Sequence, residues 1–223
     1  MRRRRFVAAA AILISISAAA AHAEVATWPD SFITRLEATA LVETANADVL
    51  ASNSATLALD QWCEAHRLAP AGSKVVAHLV RGAEIPASPE TRKRLDAGAE
   101  PIRYRRVELV CGERLLSVAD NWYVPGRLTA EMNQALDATD IAFGRAVLAL
   151  GFSRRTFAVT VLWHPLPEHW EMQPAPSIAA GAALAIPDAL FEHRAVLYRK
   201  DGVPFSEVRE TYQRALLDFP LPK

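Results

Sequence analysis

The dipeptide Asp201-Gly202 separates two strand-like runs, Ala189 to Arg199 and Val203 to Leu217, and both of its residues tolerate the positive φ that a tight hairpin turn demands. The arrangement occurs a second time. Ile102–Val110 and Arg114–Pro125 carry the β-branched and aromatic residues of strands and are joined across Cys111-Gly112-Glu113. Strands joined so tightly pair antiparallel. Further strands are expected over Lys74–Val80 and Arg155–Trp163.

Helical patterns interrupt these strands. Phe32, Leu36, Ala40, Leu41 and Val49 repeat at helical spacing between Pro29 and Ala51, with acidic residues between them. Ser54 offers an N-cap for a second helix that carries Leu57, Leu59, Trp62, Cys63 and His66. Two shorter helices are expected over Leu128–Leu136, with Thr129 as cap, and over Thr139–Leu150. Pro86–Ala99 reads as a solvated short helix whose charges need no partner. His164–Pro187, rich in proline and glycine, reads as a loop, either a lid over a site or a partner surface. This order predicts an α+β fold, an antiparallel β-sheet with helices packed mainly on one face.

The first residues stand apart from that fold. Arg2–Arg5, the apolar run Phe6–Ala20 and the triplet Ala21-His22-Ala23 have the form of a secretion signal, with a membrane-spanning helix as the alternative. The expectation is a signal at residues 1–23 cleaved after Ala23, a periplasmic location, no stable membrane anchor after cleavage, and one domain over 24–223. Removing four arginines from 25 basic residues leaves 21 against 25 acidic ones. A mildly acidic chain has no basic face for phosphates, which argues against nucleic acid. Cys63 and Cys111 are a disulfide candidate in an oxidising compartment, and two buried free thiols are the alternative. No metal is expected. The two cysteines lack a matching histidine spacing, and His164 and His169, set around two prolines, cannot share a helix face. His78 reads as a half-buried packing residue within its strand.

The last strand carries an anomaly. Val208, Glu210 and Tyr212 share one face, and Glu207, Arg209 and Thr211 the other, so Glu210 falls on the apolar side. Either this is an edge strand with Glu210 tucked at a margin, or the carboxyl points into a functional pocket where desolvation raises its pKa.

Several short segments, in order, resemble chorismate pyruvate-lyase and the related UTRA ligand-sensing domains. They are ALDQWCE (Ala58–Glu64), KVVAHLV (Lys74–Val80), RRVELVC (Arg105–Cys111), WYVP (Trp122–Pro125), DIAFGR (Asp140–Arg145), and DGVP (Asp201–Pro204) with RETY (Arg209–Tyr212). The resemblance runs from about Thr56 to the C-terminus. It implies a chorismate lyase-like fold and elimination of pyruvate from chorismate to give 4-hydroxybenzoate, the ubiquinone precursor, without cofactor or metal. It places the carboxylate-gripping arginine on Arg106, five before Cys111, and the acid at the far end of the ligand on Glu210. These two form the candidate catalytic pair. Leu59, Phe143, Gly144 and Tyr212 form the candidate substrate-binding set. Two register alternatives stay open: Glu207 for Glu210, because Pro204–Glu210 is one residue longer than in the lyase, and Arg105 for Arg106. The second functional expectation is a periplasmic protein that binds a small aromatic or cyclic carboxylate without turning it over.

Overall fold

In the computed structural model, which describes residues 27–82, 84–178 and 181–220, all the expected strands form. They are β1 (Val76–Val80), β2 (Arg103–Cys111), β3 (Arg114–Tyr123), β4 (Ser153–Val161), β5 (Ala189–Tyr198) and β6 (Pro204–Gln213). All pair antiparallel in one sheet of order β1-β2-β3-β6-β5-β4. The expected signal at residues 1–23 lies outside the described residues. Among those that are described, no helix is long and apolar enough to cross a membrane.

Both expected hairpins are present. Cys111 pairs with Arg114 across a two-residue turn in which Gly112 takes φ +60°, a conformation costly for any residue with a Cβ. The edge-strand reading of the last strand is corrected: β6 lies inside the sheet between β3 and β5, and β1 and β4 are the edges.

The helices are α1 (Phe32–Ala51), α2 (Ala55–Ala65), α3 (Pro89–Arg94), α4 (Ala130–Ala138) and α5 (Phe143–Ala146). Side-chain oxygens of Ser31 and Thr129 accept the N–H of Thr34 and Met132, capping α1 and α4. Of the expected α1 stripe Val49 is buried against the sheet, where it is joined by Ala38, Val42 and Ala45, while Leu36 is only half-buried and Ala40 exposed. Small side chains let the helix lie close against the sheet. Thr139–Leu150 forms two short turns, α5 and a 3-10 turn at Leu148–Leu150, rather than one helix.

One sheet face carries α1 and α2 over Val107, Leu109, Ala119, Ala195 and Val208. Its far end packs Tyr123, Leu197 and Phe205 against Met132, Leu136 and Phe143 of α4 and α5. The opposite face is crossed by α3 and its flanks, where Leu95 and Ala97 cover Trp122 and Val196. The charges of α3 do find a partner, contrary to expectation. Arg94 forks onto Glu207, with Nε–Oε2 2.8 Å and Nη2–Oε1 2.9 Å.

Cys63 and Cys111 are bonded, with Cα atoms 6.6 Å apart. The bridge ties α2 to β2 and closes a loop of 48 residues. In the chain-entropy account a loop of that size contributes about 4 kcal/mol.

Candidate functional site

The disulfide also fixes which side of β2 is which. Cys111 points at α2, and Val107 and Leu109 lie with it in the core beneath the helices. The register break with β3 falls between Leu109 and Val110 but adds its extra residue, Leu116, on β3, so alternation along β2 is unbroken. Arg106, an odd number of residues from Cys111, must therefore face away from the helices. There its Nη1 donates to Asp120 Oδ1 at 3.1 Å, and the same carboxylate accepts from the Tyr104 hydroxyl and, at 2.6 Å, from Arg209 Nη2. The hydrogen bond with Tyr104 holds the Arg106 guanidinium above its ordinary pKa, against burial and with help from Asp120.

Glu210 lies on the helix face, as alternation along the last strand placed it. The expected meeting of Arg106 and Glu210 in one cavity does not occur. Glu207 is fully buried on the Arg106 side, held by Arg94 and, at 3.1 Å, by Arg194. Arg105 does face the helices, but as an anchor for the end of α4. Its Nε donates to Leu136 O at 3.2 Å and its Nη2 to Ile141 O at 2.9 Å, while burial pulls its pKa down. His78 is exposed rather than half-buried.

Glu210 opens into a narrow hollow of about 30 Å³ between the sheet, the start of α2 and α5. Val107, Leu109, Ala119 and Val208 make an apolar floor, with Asn121 set into it. Phe143 and Gly144 form one wall, and Asn53–Thr56 close the top. A Cβ on Gly144 would stand 2.8 Å from Ser54 Oγ, so a side chain here would turn the Ser54 hydroxyl aside and narrow the hollow. Leu59 is elsewhere, buried beside Trp62 and Leu216 around a separate small hollow. Tyr212 stands behind the pocket, donating its hydroxyl to Glu210 Oε2 at 3.0 Å.

The residue that holds Glu210 is Arg154 of β4, with Nη2–Oε2 at 2.6 Å and both side chains less than a tenth exposed. Burial works against the Arg154 charge, but Glu210 and Tyr212 outweigh it and the pKa ends above its ordinary value. Burial, then the Glu210 carboxylate, pushes the Tyr212 phenol well above its usual range. Behind them His193, fully buried, shares a 2.6 Å hydrogen bond with Asn46 of α1, and burial followed by the Arg154 charge lowers its pKa to about 4. The pocket thus ends on a neutral, hydrogen-bonded pair.

Its other end presents backbone donors instead. The backbone N–H groups of Ala55 and Thr56, in the first turn of α2, take no hydrogen bond among the described residues, and Ser54 makes no side-chain cap. Asn121, only 2% exposed, lines the same pocket with its carboxamide unpartnered among the described residues. Sequence reading missed Arg154, Asn121 and the residues before α2. Alternation through SRRTFAVTV, started at Ser153 instead of Arg155, would have put Arg154 and Arg155 on opposite faces.

No family model matches the chain. Among solved structures it is similar to PhnF from Mycobacterium smegmatis, with TM-score 0.48 and 17% identity over 78% of this chain and 70% of that one. It is also similar to the possible transcriptional regulator YydK from Bacillus subtilis, with TM-score 0.40 and 16% identity over 67% of this chain. The chain spans 61% of the length of YydK. Likenesses of that size carry no argument about ligand or activity. A curated protein of Sinorhizobium fredii (strain NBRC 101917 / NGR234), the uncharacterized protein y4mC, is 54% identical over 196 residues, covering 87% of this chain and 83% of that protein. At that identity and coverage, the chain belongs to the family of y4mC.

Proposed function

We propose that the protein is an exported binding protein whose pocket holds a small aromatic or cyclic carboxylate without turning it over. The observation that carries this reading is a set of donors without protein partners among the described residues, all on residues lining one apolar slot: the N–H groups of Ala55 and Thr56 and the carboxamide of Asn121. A carboxylate seated against the start of α2 would satisfy those donors and meet the positive end of the helix dipole. With the Phe143–Gly144 wall drawn back to widen the hollow, a flat ring would lie between Phe143 and the Val107–Leu109 floor, and a hydroxyl at its far end would reach the Arg154–Glu210 pair. The elimination chemistry implied by the resemblance wants an arginine from β2 on the ring carboxylate, whereas β2 turns Arg106 the other way and commits Arg105 to the carbonyls of Leu136 and Ile141, so binding is the better supported role. Export is supported by the Cys63–Cys111 bridge, since such bonds persist in oxidising compartments.

Calorimetric titration of the purified protein with 4-hydroxybenzoate and cyclohexane carboxylates tests the reading. Saturable binding is expected, weakened about tenfold or more in Asn121→Ala by the loss of a buried hydrogen bond to a charged group. Arg106→Ala should bind as wild type does. Chorismate incubated with the protein should yield pyruvate only at its spontaneous rate. Loss of binding in Arg106→Ala, or enzymatic release of pyruvate, would overturn the proposal.

A further inference from the structure

A second cleft, of about 440 Å³, lies between the middle of α1 and the segment HPLPEHWEM (His164–Met172), and it shares no lining residue with the first pocket. Trp163, Trp170 and Leu166 line it, together with the solvent-exposed Glu43, Glu168 and Glu171. No lysine or arginine lines it, and its basic side chains are the exposed imidazoles of His164 and His169. Among the described residues none of the three carboxylates forms an ion pair, and only Glu43 accepts a side-chain hydrogen bond, from Asn46 at 3.2 Å.

We propose that this cleft is a binding site for a small organic cation, of the quaternary or substituted ammonium class. Indole faces attract cations through the ring quadrupole, and uncompensated carboxylates around the same hollow supply the complementary charge. The same charges disfavour an anion. A metal ion is a poorer occupant, because among the described residues no group of three or more histidine, cysteine or acidic side chains converges to hold one. A bulky cation with diffuse charge needs no such convergence. The volume is that of a small-ligand site rather than of an extended groove for a chain.

The cleft is also preformed. Arg35 of α1 pairs with Asp30 at 2.7 Å and donates to Pro165 O at 3.0 Å, so the nearby guanidinium holds the loop in place and does not neutralise the cleft. Trp170 is packed edge-on against Phe32 with ring centres 6.1 Å apart. His169, just before it, takes φ +57°, a left-handed conformation that is uncommon for a residue with a side chain.

The test is titration of the full chain with choline, followed by tryptophan fluorescence, beside its neutral isostere 3,3-dimethylbutanol. Saturable quenching by choline is expected, with the isostere about tenfold weaker. The triple substitution Glu43→Gln, Glu168→Gln, Glu171→Gln, confined to exposed side chains, should weaken choline binding by a similar factor, and Trp170→Ala should abolish it. Circular dichroism checks that each variant is folded. Equal affinity for the isostere, an unaffected triple variant, or no saturation up to about 100 mM choline would overturn the proposal. So would binding of tri-lysine peptide where choline fails, which would assign the cleft to a protein partner.

Discussion

Arg154 and Glu210 meet at 2.6 Å across an intervening strand, one from edge strand β4 and the other from β6, with His193 of β5 as the cross-strand partner of Glu210. Both are buried, so each charge depends on the other for the solvation it has lost. Removing one partner of such a pair leaves an uncompensated charge and costs about 3–5 kcal/mol, whereas replacing both with apolar residues is often tolerated. Glu210→Gln should therefore lower unfolding stability by roughly 3 kcal/mol. The double variant Arg154→Met, Glu210→Leu should recover much of that loss. Urea unfolding of the two variants reads the difference, and a Glu210→Gln protein as stable as wild type would mean that the pair is not desolvated.

Gly144 offers a way to obstruct the pocket while sparing the fold. An added Cβ would sit 2.8 Å from Ser54 Oγ, a side-chain atom that makes no capping bond and can rotate away. Gly144 also lies in α5, where alanine is intrinsically favoured by roughly 0.5–1 kcal/mol. Gly144→Ala should then leave stability within about 1 kcal/mol of wild type while crowding the wall beside Phe143 and weakening 4-hydroxybenzoate binding. Thermal melts and calorimetric titration on one preparation separate the two effects.

The sheet was legible because its signals are local: Gly112 and Gly202 sit where turns require them, and strand alternation put Glu210 on the covered face. The site was less legible, because it depends on parity and on long-range packing. Matching Arg106 by its spacing from Cys111 carried over a position but not a direction, and the direction follows only once Cys111 is known to face α2. Arg154 was lost to a strand start placed two residues late, and it meets Glu210 from 56 positions away. The place of β6 inside the sheet is likewise a matter of strand order, which no local pattern encodes.

The Cys63–Cys111 bridge joins α2, whose first turn tops the pocket, to β2, which supplies the floor. Reduction, or the pair Cys63→Ser and Cys111→Ser, should cost about 4 kcal/mol through the freed 48-residue loop. Denaturant unfolding with and without reductant measures this. A shift of under about 1 kcal/mol would indicate that the unfolded chain is already constrained there.

His193 gives the fold an acid limit whose sign is fixed by burial. Its Nε2 shares a proton with Asn46 Oδ1, its Nδ1 is buried without a partner, and the neighbouring Arg154 charge opposes protonation, so the folded pKa lies at about 4 against an ordinary value of 6.5. Between those values the unfolded chain binds a proton that the folded chain refuses. Stability should therefore be flat with respect to this group above about pH 6.5 and fall as pH drops toward 4, by up to about 3 kcal/mol. His193→Gln keeps a donor for Asn46 and has nothing to titrate, so its stability should lack that component. Carboxylates with lowered pKa, such as those of Asp30 and Glu100 beside their arginines, contribute equally to both proteins and cancel in the comparison. Urea unfolding of wild type and variant from pH 7.5 to 4 decides it. Parallel curves would mean that His193 takes its proton as readily in the folded chain as in the unfolded one.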